Sequence, residues 1–295
     1  MGPFKRVAID ALVIHDLENP VSFTLTKDGG LKGMGDPQYR LNTFDNAGED
    51  GGRLSSQNLG QRGIELRGLI RGSSSTELLA NRQLLLTVCA IRRDSSGRPL
   101  AKRITVTTVD GATYFVDAYV QIAQLGVDQN RTSPFLIQFI APAATISGNP
   151  LATGGQIGRP VTVGGLLFDP TIEFDPTIEF GTTTGGVVTV VNGGNADAWP
   201  IITLRGPLVN PTINYVEGAT LFQLNTTLGA TDTVIIDMKE HTIVLNDSQS
   251  LYDVKTDDSN WFSLAPDNNT LRFSTNSTSD TGTMEPTFYP AYIGI

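Results

Sequence analysis

Cysteine and histidine are scarce in this chain of 295 residues, which contains one cysteine and two histidines. A single cysteine, Cys89, cannot form an internal disulfide bond, so the fold is not held by a disulfide framework. Cys89, His15 and His241 are also too few soft donors for a structural zinc site, which uses four ligands. We therefore expect neither a disulfide bond nor a structural zinc site. The length is typical of about two domains.

Long apolar runs are missing as well. No uncharged apolar stretch reaches the ~20 residues that a membrane-spanning helix needs. Basic residues precede an apolar stretch near the start of the chain, but Asp10 and His15 interrupt it and no small-residue cleavage site follows. We expect no membrane insertion, no targeting segment and synthesis in a cytoplasm.

The charge is unevenly distributed along the chain. The formal net charge is -9, from 21 Lys+Arg and 30 Asp+Glu. Residues 1–131 hold 16 of the basic and 14 of the acidic residues, a net charge of +2, whereas residues 132–295 hold 5 and 16, a net charge of -11. An acidic chain is not typical of a nucleic-acid-binding protein, so we expect no nucleic-acid recognition. The asymmetry indicates two domains with different neighbours.

Most of the chain has the pattern of short β-strands. Runs rich in Val, Ile, Thr, Phe and Tyr alternate with Gly, Asn, Asp and Pro, which is typical of antiparallel sandwiches or barrels. The runs are Val21 to Thr26, Ile64 to Ile70, Ile104 to Val109, Thr113 to Ile122, Phe135 to Ile140, Val187 to Val191, Ile201 to Leu204, Leu221 to Leu224, Val234 to Met238, Thr242 to Leu245 and Leu271 to Phe273. The clearest hairpin joins the third and fourth runs, where Asp110-Gly111 is expected to form a two-residue turn with positive φ angles.

One segment predicts a helix. Ser74 and Glu77 have the spacing of a capping box, and the apolar residues that follow recur at helical intervals. One broad stripe contains Leu78, Leu79, Leu85, Leu86, Cys89 and Ala90, and a second seam contains Leu84, Val88 and Ile91. Asp94, Gly97 and Pro99 predict its end. The second seam is either buried in its own domain, which we favour, or turned towards a partner.

Between residues 141 and 186 the chain changes character. A Pro/Gly-rich stretch is followed by an immediate duplication, in which Asp169 to Phe174 is repeated as Asp175 to Phe180. Pro170 and Pro176 remove backbone donors, which favours an edge or an extended arm. Its carboxylates suggest calcium, but the segment lacks the loop and ligand density of a calcium site, so a solvated acidic arm is the preferred interpretation.

No pattern indicates a reaction centre. There is no Gly-x-Ser-x-Gly elbow and no phosphate-binding loop, and His15 and His241 each sit in a segment expected to be a loop or turn, without a partner signal. Two carboxylates suited to glycoside hydrolysis cannot be picked out among 30 acidic residues. We therefore predict no catalytic residues, no metal, no cofactor and a function that depends on surfaces.

The C-terminal half resembles a known family, the distal tail proteins of long-tailed bacteriophages. The pieces that carry the resemblance are Asn192 to Asn195 with Pro200, Gly206-Pro207 with Asn210-Pro211, the strand ending at Asp237, Trp261 to Pro266 followed by Asn269, and Pro290 to Ile293. Pro207 and Pro211 are expected to interrupt a sheet, and Trp261 with Phe262 and Leu264 to anchor a sandwich core. We interpret these residues as maintaining the fold.

The N-terminal half resembles the same family through an order of elements. A Gly-containing loop precedes QRGIELRGLIRGSS, which leads into the helix Glu77 to Arg93 and then the hairpin. The resemblance implies a mainly β fold: an N-terminal β-sandwich with one α-helix and a projecting hairpin, residues 1–145, and a C-terminal galectin-like antiparallel β-sandwich, residues 146–295. Residues 146–186 are expected to be the connector and the extended acidic arm.

The resemblance also implies partners. A member of this family is expected to form a homo-hexameric ring at the distal end of the tail tube, in contact with the tube protein and the tail-tip hub or baseplate of the virion. The relatively basic first half would form the ring, and the acidic second half would face outward. The assembly interface is expected to include Arg62, Arg67, Arg71, Arg82, Leu84, Val88 and Ile91. Strand alternation places Arg62 and Arg67 on opposite faces of the strand, so the four arginines cannot all share one surface. For these arginines, exposure to solvent at a strand edge is an equal alternative to a role in the interface.

A second function remains open from the sequence. The protein could instead be a virion-associated carbohydrate-binding module that contacts a saccharide of the host cell surface. Trp199 and Trp261 are the only tryptophans, and both lie within the matched structural pieces. The role of the duplicated segment is also open.

Overall fold

The computed structural model describes residues 4–19, 21–27, 29–35, 39–45, 48, 50–127, 130–163, 182–184 and 186–295. The chain divides into two compact units, Met1–Pro150 with Ala291–Ile295 and Leu151–Pro290. The described residues are mostly β-strand with one α-helix and one short 3-10 helix, so the mainly β fold class is confirmed. The duplicated segment 169–180 lies outside the described residues.

The elements of the first unit, up to residue 150, are β1 (Phe4–Ile9), β2 (Leu12–Asp16), β3 (Phe23–Leu25), β4 (Leu31–Lys32), β5 (Tyr39–Asp45), β6 (Gly52–Leu59), β7 (Arg62–Arg71), α1 (Ser75–Cys89), β8 (Lys102–Thr108), β9 (Thr113–Leu125), β10 (Thr132–Ala141) and β11 (Ile146–Asn149). The elements of residues 151–290 are β12 (Ala152–Thr153), β13 (Ile157–Gly158), β14 (Val161–Val163), β15 (Thr182–Thr184), β16 (Val187–Asn192), β17 (Ile201–Arg205), β18 (Leu208–Val209), β19 (Thr212–Tyr215), β20 (Thr220–Gln223), β21 (Thr227–Leu228), β22 (Thr233–Asp237), β23 (Thr242–Leu245), β24 (Gln249–Ser250), the 3-10 helix (Tyr252–Val254), β25 (Asp267–Ser274) and β26 (Thr283–Phe288). The last strand, β27 (Ala291–Tyr292), pairs with β11 and so belongs to the first unit.

The first unit is built on a large antiparallel sheet with the order β2-β1-β8-β9-β10-β7-β3. The long strand β9 pairs with β8 along its first half and with β10 along its second half. Strand β7 shows the expected alternation: Arg62, Ile64, Leu66 and Ile70 face the core, while the odd-numbered positions lie on the other side. The core residues come from β1, β7, β8, β9 and β10 together with one side of α1.

Helix α1 begins where the capping pattern predicts. The Ser74 side chain accepts a hydrogen bond from the Glu77 N–H at 3.1 Å, and the Glu77 carboxylate accepts from the Ser73 N–H at 2.8 Å. The helix ends at Cys89, four residues before the predicted Arg93, because Ala90 already has an extended backbone with ψ 139°. Its buried residues are Leu78, Leu85 and Cys89. The broad stripe is therefore narrower than predicted, since Leu79 and Leu86 are exposed.

The hairpin β8–β9 is present, but its turn differs from the prediction. The Thr108 N–H donates to the Ala112 carbonyl at 2.9 Å and the Gly111 N–H donates to the Thr108 carbonyl at 3.0 Å, which leaves a three-residue loop, 109–111. Gly111 has a φ of +90°, whereas Asp110 keeps a negative φ. A three-residue loop needs only its last residue in the left-handed region, so the two-residue turn was wrong.

Two segments of the first unit differ more strongly from the sequence analysis. His15 lies in strand β2, opposite Val7 of β1, and not in a loop. The segment before Gln61, expected only to be a Gly-containing loop, contains the antiparallel strands β5 and β6, which form a separate two-stranded sheet. The hairpin that stands apart from the main sheet is therefore β5–β6, while β8–β9 lies inside that sheet.

The second unit consists of antiparallel sheets. A seven-stranded sheet has the order β12-β26-β17-β22-β23-β24 with β13 beside β26, and a four-stranded sheet has the order β16-β25-β19-β20. Each sheet carries a buried row, such as Ile202 and Ile236 in the larger sheet and Ile213 and Phe273 in the smaller one. Two further pairs, β14–β15 and β18–β21, complete the described strands.

Candidate assembly surface

Arg62, one of the residues expected at the interface, lies in the core of the first unit. It is 1% exposed. Its guanidinium donates to the backbone carbonyls of Gly33 (2.6 Å), Ala144 (2.9 Å) and Ile293. These carbonyls belong to three segments that are far apart in sequence, so the side chain joins them. Because a side chain enclosed by its own chain cannot reach a neighbouring subunit, we assign Arg62 to the stability of the fold.

Arg82 is also turned inward. Its Nη1 donates to the Gly126 carbonyl at 3.1 Å and to the Ser133 Oγ at 3.0 Å. The side chain therefore connects helix α1 to the segment between β9 and β10. We remove Arg82 from the candidate surface for the same reason as Arg62.

Arg67 and Arg71 lie on the other side of strand β7. The Arg67 Nε is 2.6 Å from Glu65 Oε1, and the other Glu65 oxygen accepts from Gln138 Nε2 at 2.9 Å. The Gln138 hydrogen bond, followed by that of Arg67, holds the pKa of Glu65 below its usual range. Arg67 and Arg71 are both exposed, so both can contact a partner.

The predicted helix seam is outward-facing at both ends. Leu84 is exposed, Ile91 is 69% exposed and Val88 is half-buried against the core. Leu100 and Tyr119 extend this apolar surface. Ile91, Leu100 and Tyr119 help to line a surface cavity of about 190 Å³ beside Cys89. Sequence analysis favoured burial of this seam, whereas two of its three residues are exposed in the single chain.

A short loop follows the helix, and we call residues 90–100 the post-helix loop. The Leu100 N–H donates to the Arg92 carbonyl at 2.8 Å and the Asp94 N–H donates to the Arg98 carbonyl at 2.9 Å, so the loop folds back on itself. Arg92, Arg93 and Arg98 are exposed. The Asp94 carboxylate accepts from the N–H groups of Ser96 and Arg98. The loop thus presents three guanidinium groups, and its single carboxylate is already occupied by its own backbone.

The β5–β6 hairpin exposes large apolar side chains. Tyr39, Leu41 and Leu54 are more than half exposed, and Phe44 is 66% exposed. An isolated two-stranded sheet is marginally stable in water, and exposed apolar side chains that share a face, as Tyr39, Leu41 and Leu54 do, are typical of an interaction site. The hairpin is therefore the strongest candidate contact surface of the first unit.

The two faces of this hairpin differ in polarity. Residues directly opposite one another in an antiparallel pair share a face. One face contains four apolar side chains and is formed by the pairs Tyr39–Leu59, Leu41–Gln57, Thr43–Leu54 and Asp45–Gly52. The other is mostly polar and is formed by Arg40–Asn58, Asn42–Ser56 and Phe44–Arg53, with a register shift between Asn42 and Thr43. The polar face carries its own hydrogen bond, Asn42 Nδ2 to Ser56 Oγ at 2.8 Å. The hairpin is amphipathic, as expected for a strand pair that covers another surface.

Sequence analysis missed this hairpin, although a signal was present. Tyr39, Leu41 and Thr43 alternate with polar residues over five positions, the period of a half-buried strand. The glycines at positions 48, 51 and 52 are typical of a loop and favoured that interpretation instead. Nothing in the local pattern distinguishes a strand that packs on its own core from one that stands apart.

The histidines show no catalytic arrangement. Partial burial lowers the pKa of His15, against the opposing effect of the neighbouring Asp16 carboxylate. His241 lies in the turn between β22 and β23 with a φ of 55°, as the sequence predicted for a turn residue. Within the described ranges no group of His, Cys, Asp and Glu could hold a metal ion. None of the helical segments described here combines the length and apolar character that crossing a membrane requires.

An aromatic cluster lies in the second unit around Trp261. The His241 ring stacks on Trp261 with centroids 4.7 Å apart, and the Tyr252 ring lies nearly parallel to it at 6.3 Å. Phe222 contacts Trp261 from the core at 5.0 Å. Tyr252 and His241 are exposed and Trp261 is partly exposed. Trp261 is therefore only partly buried, whereas the sequence analysis expected it to anchor the core together with Phe262 and Leu264.

Several residues of the C-terminal motif bond the backbone of the second unit. The buried Asn192 donates to the Ala196 and Leu264 carbonyls at 2.8 and 3.1 Å. The buried Asn269 accepts from the Tyr215 hydroxyl at 2.7 Å and donates to the Ala265 carbonyl at 2.8 Å. Near Pro207 the Val209 N–H donates to the Asp280 carboxylate at 2.8 Å.

Phe262 and Leu264 are buried as well, and Phe262 stacks on Tyr215. Together with the buried asparagines they explain the motif as a set of structural residues.

Comparison with known proteins first defines a class. Residues 193–292 match the family model described as the siphovirus-type tail component, C-terminal domain (SPP1_Dit). This region, which makes up most of the second unit, is thus similar to a domain of a siphovirus-type tail component. No curated protein matches the chain.

The whole chain resembles solved distal tail structures. It aligns with the crystal structure of the Dit protein of phage SPP1, described as a paradigm of the hub adsorption apparatus in phages that infect Gram-positive bacteria. The TM-score is 0.62 with 16% identity, over 96% of this chain and 97% of that one. A chain of the phage P2 baseplate in its activated conformation with calcium gives a TM-score of 0.50 with 10% identity over the same shares.

The match of residues 193–292 and the fold of the whole chain agree with the resemblance to the distal tail proteins that the sequence indicated. At 16% and 10% identity, these solved structures show a shared fold.

Proposed function

We propose that this protein forms a homo-hexameric ring at the distal end of a phage tail tube and joins the tube to the tail-tip hub or baseplate. The observation that carries the proposal is the similarity to the SPP1 Dit protein over nearly the full length of both chains. Its place would be the virion tail tip, after synthesis in the cytoplasm of the host bacterium, and its partners would be further copies of itself, the tube protein and the hub.

Two exposed apolar patches of the first unit support the proposed ring. Closed rings are built from repeated head-to-tail contacts between two different patches of each subunit. The β5–β6 hairpin provides one apolar patch, and the end of helix α1 provides another. Arg67, Arg71, Leu84, Val88 and Ile91 remain in the proposed contact region, whereas Arg62 and Arg82 are used inside the unit.

The second unit differs in charge and is proposed to face outward. Residues 132–295 carry a net charge of -11. Packing such domains closely in a ring would repel like charges, whereas placing them at the periphery keeps them apart. No catalytic role is proposed for either unit.

The mass of the purified full-length protein tests the ring. We expect particles of about six subunits by light scattering and six-fold ring averages by negative-stain electron microscopy. A protein that stays monomeric up to concentrations near 100 μM would overturn the proposal; this concentration is roughly a hundredfold above a micromolar dissociation constant. Charge reversal at Arg67 tests whether this residue lies at the subunit contact. An unchanged oligomer mass would exclude Arg67 from the contact.

A second candidate function rests on the aromatic cluster. Saccharides stack their apolar ring faces on exposed aromatic side chains, and Tyr252, His241 and Trp261 form an exposed aromatic group. A role as a carbohydrate-binding module of the virion would use this group. Titration of the protein with host cell-wall saccharide, followed by Trp fluorescence in a Trp199→Phe variant, tests it. No change on titration, or an equal change in the Tyr252→Ala variant, would exclude it.

A further inference from the structure

We propose that a surface cavity of the first unit binds an amphiphile that has a single alkyl chain and an anionic head group. The cavity has a volume of about 380 Å³ and is lined by residues of strands β2 and β3 and of the segment that follows β3. We call it the seam cavity. It shares no lining residue with the β5–β6 hairpin or with the end of helix α1. The inference therefore goes beyond the proposed function and does not depend on it.

The seam cavity lies where the two ends of the main sheet come together. Strands β2 and β3 are the first and the last in the strand order, yet they lie side by side. Among the described ladders, β2 pairs with β1 and β3 pairs with β7. Because no described ladder joins β2 to β3, the space between them is not closed by backbone hydrogen bonds. A ligand can therefore reach the core from solvent at this point.

The interior of the seam cavity is apolar. Phe4, Leu25 and Leu31 line it and also pack against the core cluster of the first unit. Leu17 is 47% exposed and therefore marks the opening. A dry apolar cavity of about 150 Å³ holds one benzene molecule, so a cavity of about 380 Å³ has room for roughly 15 non-hydrogen atoms. This space fits a medium-length alkyl chain, and the volume is typical of a small-molecule pocket.

The wall of the cavity on the β3 side is held in place by strand β7. The Thr26 N–H donates to the Arg67 carbonyl at 3.0 Å, and the Arg67 N–H donates to the Gly30 carbonyl at 2.7 Å. A glycine is needed at position 30, because a Cβ there would lie 2.4 Å from the Thr26 carbonyl oxygen. The cavity is thus present in the single chain, so a ligand does not have to order its wall.

Two nitrogen-bearing side chains of the cavity determine which head group fits. His15 lies on β2, and because partial burial lowers its pKa, the imidazole is uncharged at pH 7. Lys27 is exposed and is the one charged residue among the described residues that line the cavity. An ammonium group beside an apolar interior favours a ligand with an alkyl body and an anionic head, since the head forms a charge-assisted hydrogen bond.

The described carboxylates beside Leu17 are already used within the chain. The Glu18 carboxylate pairs with the Lys5 ammonium at 2.9 Å. The Asp16 carboxylate accepts from the backbone N–H groups of Glu18 and Asn19 at 2.9 and 3.0 Å. Neither carboxylate therefore competes with the head group of a ligand for the ammonium at the opening.

Titration calorimetry on the full-length protein tests the cavity. An alkyl chain that ends in an oxyanion occurs in free fatty acids and in phosphorylated lipids, so the probes are decanoate and decyl phosphate. We expect saturable binding of one molecule per chain for at least one of them. Decylamine has the same chain with a positive head group and is expected to bind about tenfold more weakly. No saturable binding of either anion up to about 1 mM, the weak end of the affinity scale, would overturn the inference. Binding that is lost when the protein oligomerises would show that a second copy fills the cavity and would overturn it as well.

Lys27→Glu reverses the charge at the opening. Because the head group then meets a carboxylate, we expect decanoate to bind about tenfold more weakly and decylamine about tenfold more tightly. Lys239→Glu is the matched control, since it makes the same change in net charge at an exposed lysine of the second unit. It is expected to leave both affinities unchanged. Equal effects of the two variants would contradict the contact between Lys27 and the head group.

Leu17→Trp tests the apolar interior. The larger side chain is expected to enter the cavity and to abolish decanoate binding. Leu17 is nearly half exposed and follows β2, so we expect the urea midpoint of the variant to stay close to that of the wild type. Leu151→Trp changes a leucine of the second unit that is 46% exposed, and this control is expected to bind decanoate normally. Wild-type affinity in the Leu17→Trp variant would place the ligand elsewhere and overturn the inference.

Discussion

In the second unit the side chains of Asn192 and Asn269 are fully buried and each bonds several backbone groups, whereas in the first unit Arg92, Arg93 and Arg98 lie exposed on the post-helix loop. The family model matches residues 193–292, a range that contains Asn269 and begins directly after Asn192. A side chain that bonds backbone groups of the same chain stabilises the fold, whereas a side chain at an interface depends on the residues of the partner. The buried asparagines thus have their partners within the described part of the chain, whereas the exposed arginines are free to meet a partner in the proposed assembly.

Arg62 shows that the first unit also contains an inward-turned polar residue, and its removal has the largest expected effect. The Arg62→Met variant leaves the carbonyls of Gly33, Ala144 and Ile293 without this donor. We expect the free energy of unfolding to fall by about 3–5 kcal/mol, measured by urea denaturation of the full chain. Arg71→Met at the exposed end of the same strand is the control and costs within about 0.5 kcal/mol. Equal losses of unfolding free energy in the two variants would contradict the assignment of a stabilising role to the buried Arg62 alone.

Asn269 tests the inward-turned motif of the second unit. The Asn269→Ala variant removes an acceptor for the Tyr215 hydroxyl and a donor to the Ala265 carbonyl. We expect a loss of about 2–4 kcal/mol, seen as a lower urea midpoint. The neighbouring Asn268 is exposed, and Asn268→Ala is expected to change the midpoint little. A similar loss in both variants would contradict the assignment of the motif to backbone bonding.

Ser74 tests a local feature next to the assembly surface. The Ser74→Ala variant loses the side-chain acceptor for the Glu77 N–H at the start of α1. We expect a loss of about 1 kcal/mol without a change in oligomer mass, since the cap lies at the other end of the helix from the post-helix loop. Thermal unfolding and mass photometry measure the two effects. Ser75→Ala, one residue into the helix, is the control, and a change in mass would show that the cap belongs to the contact.

Glu65 gives the smallest expected effect and a pH dependence. Its pKa is lowered in the folded state by the Gln138 hydrogen bond and then by Arg67. The carboxylate therefore stabilises the fold above the ordinary glutamate pKa of about 4.3, and this contribution is lost as the pH falls through the lower folded-state pKa. We expect Glu65→Gln to cost at most about 1 kcal/mol at pH 7 and less at pH 3. A cost that grows towards pH 3 would have the wrong sign.

The sequence predicted those elements whose signal is local. The Ser74–Glu77 spacing located the start of the helix, and alternation in β7 separated Arg62 from Arg67. The runs that became β8, β9 and β10 were identified because their apolar residues fit a half-buried strand. The end of the helix was placed too late, because Ile91 continues the apolar spacing although the chain has already turned at Ala90.

The candidate surface was only partly predictable. Leu84 and Ile91 were named from helical spacing, but the same spacing could not tell an exposed seam from a buried one. Arg62 and Arg82 were grouped with Arg67 as part of the relatively basic first half, yet their hydrogen-bond acceptors lie far away in sequence. The hairpin β5–β6 was missed because its exposure depends on whether segments distant in sequence pack against it, which a local pattern does not show.

The sequence by itself determined the mainly β composition, the helix start, the scarcity of ligating side chains and the charge difference between the two halves, since each depends on residue types or on neighbours within a few positions. Only the tertiary structure decided that Arg62 is enclosed while Arg92 and Arg98 are exposed, and that β5–β6 stands apart from the main sheet. Burial is a relation between residues distant in sequence: Arg62 meets carbonyls 29, 82 and 231 positions away. Such a relation exists only once the chain has folded.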